Sequence, residues 1–297
     1  MQIVTDQGMD LSPLQTAGLS IHYVPLKITL EGKTYSGEEL DYVTFYTMLQ
    51  NTNAFPTTSQ PSPGDFADIY RKLALSDPDI LSIHISSGLS GTINSARLGA
   101  SMVPEAHVTI MDSKTLSLSL GWQVQAAARA IKAGWLLGDV LKLIDTIRTG
   151  TDTMFTLADL KYLIHGGRIS HVKGLMGSVL HIKPVIQVAK ADGKYYPVAQ
   201  EFSFKKAIYK IADLALIKYQ RGSALRVQIV HGNNPEGVEL LKARMGEYFE
   251  CHFDDVLPVA PILGAHTGPS VVGMGVAPLG LFLNPALHLV NKELAVA

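Results

Sequence analysis

The amino-acid sequence predicts an α/β protein of two domains, with an N-terminal, mostly parallel sheet flanked by helices and a C-terminal mixed or antiparallel sheet with helices. Three observations carry this prediction. The chain has 297 residues, of which 47% are hydrophobic, and this length suits two cores better than one or three. Its first half alternates short apolar runs with amphipathic ones, which is typical of strands and helices in a parallel sheet. Its second half contains a strong hairpin signal, which indicates antiparallel pairing.

The first domain is predicted to span residues 1–150. Strands are expected where short apolar runs occur, at residues 2–5, 23–30, 80–86 and 107–111. Helices are expected where apolar residues recur at helical spacing, at residues 42–50, 64–75, 90–102, 118–133 and 138–148. Open α/β sheets bind ligands at the carboxyl ends of their strands, so polar segments that follow these strands are candidate ligand sites.

The second domain is predicted to span residues 151–297, where the regular alternation stops. Two strand-like arms within residues 183–200 flank Asp192-Gly193, a dipeptide that favours a tight hairpin turn. Further helices are expected at residues 204–219 and 235–247, and further strands at residues 225–230 and 252–256. The apolar residues 271–290 are interrupted by two prolines and a histidine, which favours core structure over a membrane span.

Charge and cysteine content exclude several classes of function. Lys and Arg number 25 against 26 Asp and Glu, and no run of five or six like charges occurs, so nothing in the bulk charge favours binding to nucleic acid or to an anionic membrane surface. The single cysteine, Cys251, lacks the spacing of a zinc site, and the histidines show no metalloprotease motif. No signal peptide is visible at the N-terminus. We therefore expect a cytoplasmic protein without a metal or cofactor.

Three polar segments sit where a strand is expected to give way to a loop or helix: TTSQPSP at residues 57–63, ISSGLSGT at residues 85–92 and MDSKT at residues 111–115. In ISSGLSGT, glycine permits a tight turn, and Ser90 or Thr92 is expected to cap the following helix. The free N–H groups of the first helical turn, together with the serine hydroxyls, would cradle an oxyanion such as a carboxylate or phosphate. The alternative is that these serines only cap a helix.

Two segments of the second half add further candidates. In HGGRIS, residues 165–170, Arg168 follows paired glycines and has forked donors suited to an anion, although it could equally pair with a structural carboxylate. In GAHTGP, residues 264–269, His266 could donate a hydrogen bond to a ligand oxygen or act in proton transfer.

These motifs together resemble those of the DegV family of bacterial proteins, and the resemblance runs from the first strand to the last helix. The segments that carry it are IVTD at 3–6, TSQPS at 58–62, SSGLSGT at 86–92, DSKT at 112–115, GGRIS at 166–170, IKP at 182–184 and HTGP at 266–269. The resemblance implies a noncatalytic protein, not an enzyme, that encloses a long-chain fatty acid between its two domains. It implies that Thr58, Ser90 and His266 hold the carboxylate.

The resemblance also implies a protein partner. In such a system the bound acid is presented to a separate fatty acid kinase, which phosphorylates the carboxylate, and Arg168 helps the transfer or the docking of the kinase. Residue chemistry and resemblance together predict ligand contacts at seven positions: Thr58, Ser59, Ser87, Ser90, Gly91, His266 and Thr267.

The main alternative is a hydrolase of an acyl substrate, because Ser90, Asp112 and His266 follow the chain order of α/β-hydrolase triads. The nucleophile motif G-x-S-x-G would require a tiny residue at position 92, where this chain has a threonine. The only His-Gly-Gly lies at residues 165–167, well after Ser90, whereas the oxyanion loop of hydrolases precedes the serine. The sequence therefore favours a binding protein.

Overall fold

The computed structural model describes residues 1–37, 39–169 and 182–283. Within them the protein has the predicted mixed α/β fold, with a parallel sheet in the N-terminal part and a mixed sheet in the C-terminal part. Ser170 of the GGRIS motif and residues 284–290 of the apolar stretch lie outside the described residues.

The first part of the chain forms two sheets. Its strands are β1 (Gln2–Asp6), β2 (Ile21–Val24), β3 (Lys27–Leu30), β4 (Lys33–Ser36), β5 (Thr57–Ser59), β6 (Asp79–His84) and β7 (His107–Asp112). Among the described residues, four strands pair in parallel in the order β2-β1-β6-β7. Strands β4, β3 and β5 form a small antiparallel sheet in that order.

The predicted strand at residues 23–30 is wrong in one respect, since it is two strands in two different sheets. Pro25 separates β2 from β3, and a proline has no N–H to donate to a sheet. As a result, β3 leaves the parallel sheet and pairs with β5. This pairing places the predicted ligand contact Thr58 opposite Ile28.

The helices of the first part follow the predicted positions to within two residues at each end. They are α1 (Pro13–Thr16), which was not predicted, and α2 (Tyr42–Asn51), α3 (Pro63–Ala74), α4 (Thr92–Ser101), α5 (Ser117–Lys132) and α6 (Leu137–Gly150). Helix α3 begins where the sequence dictates, because Ser62 and Asp65 form a capping box and proline occupies the first turn.

The second part forms one larger mixed sheet. Its strands are β8 (Asp152–Thr156), β9 (Lys183–Val188), β10 (Tyr195–Glu201), β11 (Ala224–His231), β12 (Glu250–Phe253), β13 (Leu257–Pro258) and β14 (Val272–Pro278). Its helices are α7 (Lys161–His165), α8 (Phe204–Lys218), α9 (Pro235–Gly246), α10 (Pro261–Thr267) and a 3-10 turn at Leu279–Phe282. Within the described residues the order is β10-β9-β8-β14-β11-β12, with β13 also beside β11.

Two predictions for this part are confirmed. Strands β9 and β10 pair antiparallel around the Asp192-Gly193 turn. The start of the apolar stretch forms β14, which lies between β8 and β11 inside the sheet. No helix of the described ranges is long and apolar enough to cross a membrane.

Helix α5 lies at the centre of the molecule. It contacts β1 of the first sheet and β14 of the second, and most of its residues are buried, including the fully buried Trp122. The indole N–H of Trp122 donates to Gln228 on β11 at 2.9 Å. A single apolar core therefore continues from the first part of the chain into the second, while helices α8 and α9 cover the other face of the second sheet with a core of their own.

The β9–β10 turn packs directly on the ISSGLSGT loop. Gly193 has φ +67°, and a Cβ built on it would lie 1.9 Å from Ser86 Oγ. Gly193→Ala should therefore lower the free energy of unfolding by about 1 to 3 kcal/mol through the left-handed backbone alone, with the contact adding to it. Chemical denaturation measures this loss.

Gly138→Ala is the matched control. Gly138 lies in the first turn of α6, and nothing lies within 4 Å of a Cβ built there. This variant should be as stable as wild type or slightly more stable. Equal stability of the Gly193 variant and wild type would show that the hairpin does not depend on this close packing.

Candidate ligand-binding site

The ISSGLSGT loop is held from below by the buried carboxylate of Asp6 at the end of β1. Asp6 accepts hydrogen bonds from the N–H groups of Gly8 at 2.8 Å and Ile85 at 2.9 Å. The next turn is closed by Ser86, whose carbonyl accepts from the N–H groups of Leu89 and Ser90. These bonds fix the loop where it leaves β6, at the carboxyl edge of the parallel sheet.

The expected helix cap is wrong. Helix α4 begins at Thr92, its N-cap residue is Gly91, and no side chain caps it. Ser90 instead shares a hydrogen bond of 2.9 Å with the Thr92 hydroxyl and accepts from the Thr92 N–H at 3.3 Å. Ser90 also lines two cavities beside the loop.

The MDSKT segment meets this loop through Asp112. The Ser87 hydroxyl donates to Asp112 Oδ2 at 2.5 Å, and the Lys114 ammonium lies 2.9 Å from the same oxygen. Burial pushes the pKa of Asp112 up, but the hydrogen bonds from Ser87 and Lys114 outweigh it and hold the pKa below its ordinary value. Asp112 is therefore a charged, fully engaged anchor for the loop.

The TTSQPSP segment also departs from prediction, since its threonines form strand β5 instead of following a strand as a turn. β-Branched residues favour such a position, and the pairing with β3 turns Thr58 toward helix α10. Thr58 Oγ1 shares a hydrogen bond of 2.8 Å with His266 Nε2, although 208 residues separate the two in the chain.

Helix α10 places His266 through its two ends. At its start Pro261 occupies the first turn and the Ala260 N–H donates to the buried Asp10 carboxylate at 2.9 Å. At its end Gly268 adopts φ +73°, where a Cβ would lie 2.3 Å from the Tyr162 ring. Glycine is required there on both counts.

His266 is neutral at physiological pH. Burial lowers the pKa of its imidazole to about 4, and the charge of Arg168 lowers it further in the same direction. The other ring nitrogen, Nδ1, is buried and has no hydrogen-bond partner among the described residues. The Thr58 hydroxyl and the neutral His266 ring each carry one polar proton. Their mutual hydrogen bond uses one of these protons, so the other is available for a ligand.

Arg168 binds carbonyl oxygens and not a carboxylate. Its Nε donates to Leu89 O at 3.3 Å and its Nη1 donates to Gly166 O at 2.7 Å. The described part of the chain supplies no ion pair to this guanidinium, so its role as a structural counter-ion finds no support. Arg168 therefore contacts the ISSGLSGT loop, and no described carboxylate pairs with its charge.

Three neighbouring cavities connect these residues. A polar cavity of about 340 Å³ is lined by Ser87, Ser90, Gly91 and Arg168. Ser90 and Arg168 also line a smaller cavity that holds Thr58 and His266, which we call the head-group cavity. A third, apolar cavity shares Leu116, Tyr195 and Leu263 with the head-group cavity and extends between α5 and the second sheet.

Of the seven predicted contacts, three line the head-group cavity (Thr58, Ser90 and His266), Ser87 and Gly91 line only the polar cavity, and two lie apart from both. Ser59 is exposed on β5, and Thr267 lines the apolar cavity with its hydroxyl bonded to Leu263 O at 3.2 Å. Their ligand contacts stay predictions.

Tyr195 is the residue that the sequence prediction missed. It lines all three cavities, is 5% exposed and stands at the start of β10. Burial raises the pKa of its phenol above the ordinary value, although nearby Arg168 opposes the shift. The available signal was its position directly after the Asp192-Gly193 turn, which packs on the loop.

Ser90, Asp112 and His266 do not form a hydrogen-bonded triad. Within the described residues their side chains bond elsewhere, Ser90 to Thr92, Asp112 to Ser87 and Lys114, and His266 to Thr58. This arrangement counts against the hydrolase alternative.

A serine, histidine and aspartate are linked elsewhere, in the core beneath the loop. His84 Nδ1 lies 2.9 Å from Asp6 Oδ2, and its Nε2 lies 2.6 Å from Ser82 Oγ. All three residues are 0% exposed, so no substrate can reach them. They support the loop, since Asp6 also binds the Ile85 N–H. In the described ranges no cluster of three His, Cys, Asp or Glu residues is arranged to hold a metal.

Comparison with known proteins gives one consistent result. The model of the DegV family, described as an uncharacterised protein family, matches residues 1–279. A DegV domain-containing protein of Staphylococcus aureus strain N315 is 33% identical over 273 residues, which cover 92% of this chain and 96% of that protein.

Solved structures give the same result. A DegV family protein from Thermus thermophilus, described by its fatty acid binding, superposes with a TM-score of 0.85 at 30% identity, covering 94% of this chain and 99% of that one. DegV from Bacillus subtilis, described as a fatty acid binding protein, gives 0.83 at 29% identity, covering 93% and 98%. The chain belongs to the DegV family.

Proposed function

We propose that this protein binds a long-chain fatty acid and holds its carboxylate in the head-group cavity with Thr58, Ser90 and His266. The observation that carries the proposal is the placement of these three side chains around one small cavity, between a polar opening and an apolar interior. The fatty acid binding described for the relatives from Thermus thermophilus and Bacillus subtilis supports it.

The head-group chemistry suits a carboxylate. Ser90 and Thr58 can each donate a hydroxyl proton, Thr58 when the neutral His266 ring donates from Nε2 to the threonine oxygen and leaves the threonine proton for the carboxylate. Hydrogen bonds to a charged group contribute roughly 1.5 to 3 kcal/mol each, more than neutral ones. Arg168 at the edge of the cavity adds a positive charge that favours an anion over a neutral ester.

The tail would enter the apolar cavity between α5 and β14. An acyl chain gains roughly 0.8 kcal/mol for each methylene removed from water, so fourteen methylenes offer up to about 11 kcal/mol before ordering costs. The head-group and apolar cavities are each about 40 Å³, far below the roughly 300 to 1,000 Å³ of ligand pockets. Lining side chains such as Tyr195 and Leu263 must therefore move when an acyl chain enters.

The proposed role is that of a noncatalytic carrier in the cytoplasm that uses no cofactor. Its only small-molecule partner would be the fatty acid itself. A hydrolase of an acyl substrate would need an attacking serine activated by a histidine, and Ser90 has no such neighbour among its hydrogen-bond partners.

Direct titration tests the proposal. Palmitate should bind to delipidated protein, while methyl palmitate, which has the same tail and no charge, should bind at least about tenfold more weakly. Equal affinity for the acid and the ester would show that the polar residues do not recognise a carboxylate. Absence of binding by both would remove the fatty acid from the proposal altogether.

We further propose that the bound acid is presented to a separate fatty acid kinase, with Arg168 in the transfer or the docking step. Arg168 supports this role by lying between the polar cavity and the head-group cavity. Arg168→Ala should retain fatty acid binding within about threefold, since the hydroxyl and imidazole contacts stay, but should impair phosphorylation by the cognate kinase.

The measurement is a phosphorylation assay with the kinase and ATP at saturating fatty acid, run beside a binding titration. Lys72→Met, which removes an exposed positive charge on α3, is the control. The fatty acid bound to this variant should be phosphorylated at the wild-type rate. Equal rates for wild type and the Arg168 variant would defeat the assignment.

A further inference from the structure

Residues 6–10 run from the end of β1 toward α1 and line none of the three cavities. We call them the 6–10 segment. Its two carboxylates, Asp6 and Asp10, are buried, and Gln7 between them is half-buried. All three side chains accept hydrogen bonds from backbone N–H groups of other elements. The segment therefore acts on the head-group cavity only through the elements that it holds.

The first of these elements is the loop that carries Ser90. Asp6 accepts from the Ile85 N–H at 2.9 Å, at the start of the ISSGLSGT loop, and from the Gly8 N–H at 2.8 Å. A Cβ built on Gly8 would lie 2.7 Å from Asp6 Oδ1 and 3.1 Å from the Ile85 side chain. The segment therefore packs directly against the loop.

The second element is the small antiparallel sheet that carries Thr58. Gln7 Oε1 accepts from the Leu26 N–H at 3.1 Å, one residue before β3 begins, and Leu26 itself lines the head-group cavity. Strand β3 pairs with β5, on which Thr58 lies. A Cβ built on Gly37 would overlap the Gln7 amide, so this amide also packs against the residue that follows β4. Gln7 therefore fixes one edge of the sheet.

The third element is helix α10, which carries His266 in its second turn. Asp10 accepts from the Ala260 N–H at 2.9 Å, at the N-cap of α10, and from the Ser117 hydroxyl at 2.5 Å, at the start of α5. The Ser117 N–H donates in turn to Gly8 O at 2.6 Å, which closes the contact back onto the segment. Movement of the start of this short helix would move the imidazole of His266.

We propose that the 6–10 segment positions the three carboxylate-binding side chains relative to one another. Gln7 is the positioning residue for Thr58, and Asp10 is the positioning residue for His266. This inference rests on the proposed binding of a fatty acid carboxylate in the head-group cavity. Hydrogen bonds weaken steeply when their distance and angle change, so a looser support costs recognition of the carboxylate and spares the contacts of the tail.

The preference for the acid over its ester measures this positioning. Palmitate and methyl palmitate are titrated into delipidated wild type, Gln7→Ala and Asp10→Ala, and into Gln7→Glu and Asp10→Asn, which keep an acceptor oxygen. Because both ligands have the same tail, a general loss of structure lowers both affinities and leaves their ratio unchanged. Gln2→Ala is the matched control, since Gln2 bonds to Leu73 O and Ser76 Oγ at the opposite end of β1.

Gln7→Ala and Asp10→Ala should each lower the preference for palmitate by about fivefold or more, through weaker binding of the acid. The variants Gln7→Glu and Asp10→Asn, together with Gln2→Ala, should keep the wild-type preference within about twofold. An unchanged preference in both alanine variants of the segment, or an equal fall in Gln2→Ala, would overturn the inference.

Wild type separates this inference from the proposed function. If wild type prefers palmitate and the alanine variants keep that preference, only the positioning role is wrong. If wild type binds neither ligand, the proposed function is wrong as well. Should Asp10→Ala not fold, Gln7→Ala decides, because it leaves both buried carboxylates in place: a fall in its preference supports the positioning role, and the wild-type value overturns it.

Discussion

Ser90→Ala is expected to weaken fatty acid binding by about 1 to 3 kcal/mol, which is roughly 5- to 150-fold in Kd. The reason is that a charged carboxylate held away from bulk water loses a hydroxyl donor that nothing nearby replaces. Arg168 is bonded to two carbonyl groups, and Thr58 lies beside His266, to which it is hydrogen-bonded, so neither replaces the Ser90 hydroxyl. Titration of palmitate into the delipidated variant measures the change.

The matched control for this variant is Ser101→Ala. Ser101 lies exposed at the other end of helix α4, and its hydroxyl donates only to Leu98 O. Its affinity for palmitate should equal that of wild type. The Ser90 variant should stay folded with a modestly lower thermal unfolding temperature, because Ser90 is not the helix cap and loses only its hydrogen bonds to Thr92. Unchanged affinity in a well-folded Ser90 variant would remove this residue from the head-group site.

The free energy of unfolding of the ligand-free protein falls as the pH is lowered, and His266→Gln is expected to reduce this loss by up to about 3 kcal/mol. In the folded protein, burial lowers the pKa of His266 to about 4, whereas the unfolded chain has the ordinary value near 6.5. The unfolded state therefore binds a proton that the folded state refuses, and wild type loses stability as pH falls from 6.5 toward 4. Glutamine cannot titrate and still offers an amide donor to Thr58.

Chemical denaturation at pH 7 and at pH 4.5 tests this expectation. The buried Asp10, whose pKa burial raises to about 6 against its hydrogen bonds from Ser117 and Ala260, acts in the opposite direction, because its stabilising protonated form is lost as pH rises. Asp10 is present in both proteins, so its contribution cancels in the difference between them. If wild type and variant lose the same stability between the two pH values, His266 is not a neutral, buried group.

Features that depend on local chemistry could be predicted from the sequence. The Asp192-Gly193 turn, the helix at residues 64–75 and the alternation of strands and helices are set by neighbouring residues, and the structure has them. The position of the ISSGLSGT loop at a strand end follows from the same alternation. Segments of this kind fold as predicted because turn propensity and hydrophobic period act over a few residues.

Features that depend on distant pairing could not be predicted from residue patterns. Thr58 looked like part of a turn and became a strand because β3 leaves the parallel sheet at Pro25 and offers it a partner. The hydrogen bond between Thr58 and His266 needs helix α10 to cross to the first part of the chain, and only the family resemblance indicated that these residues act together. Tyr195 has the pattern of any strand residue, and only the packing of the hairpin on the loop brings it to the cavities.

The central claim is that this protein carries a long-chain fatty acid. Organic extraction of the purified full-length protein, followed by mass spectrometry, should recover about one long-chain fatty acid per chain. Delipidated wild-type protein should then rebind added palmitate, and it should bind it more tightly than the Ser90→Ala variant does. Recovery of no fatty acid, together with no binding of added fatty acids, would contradict the account.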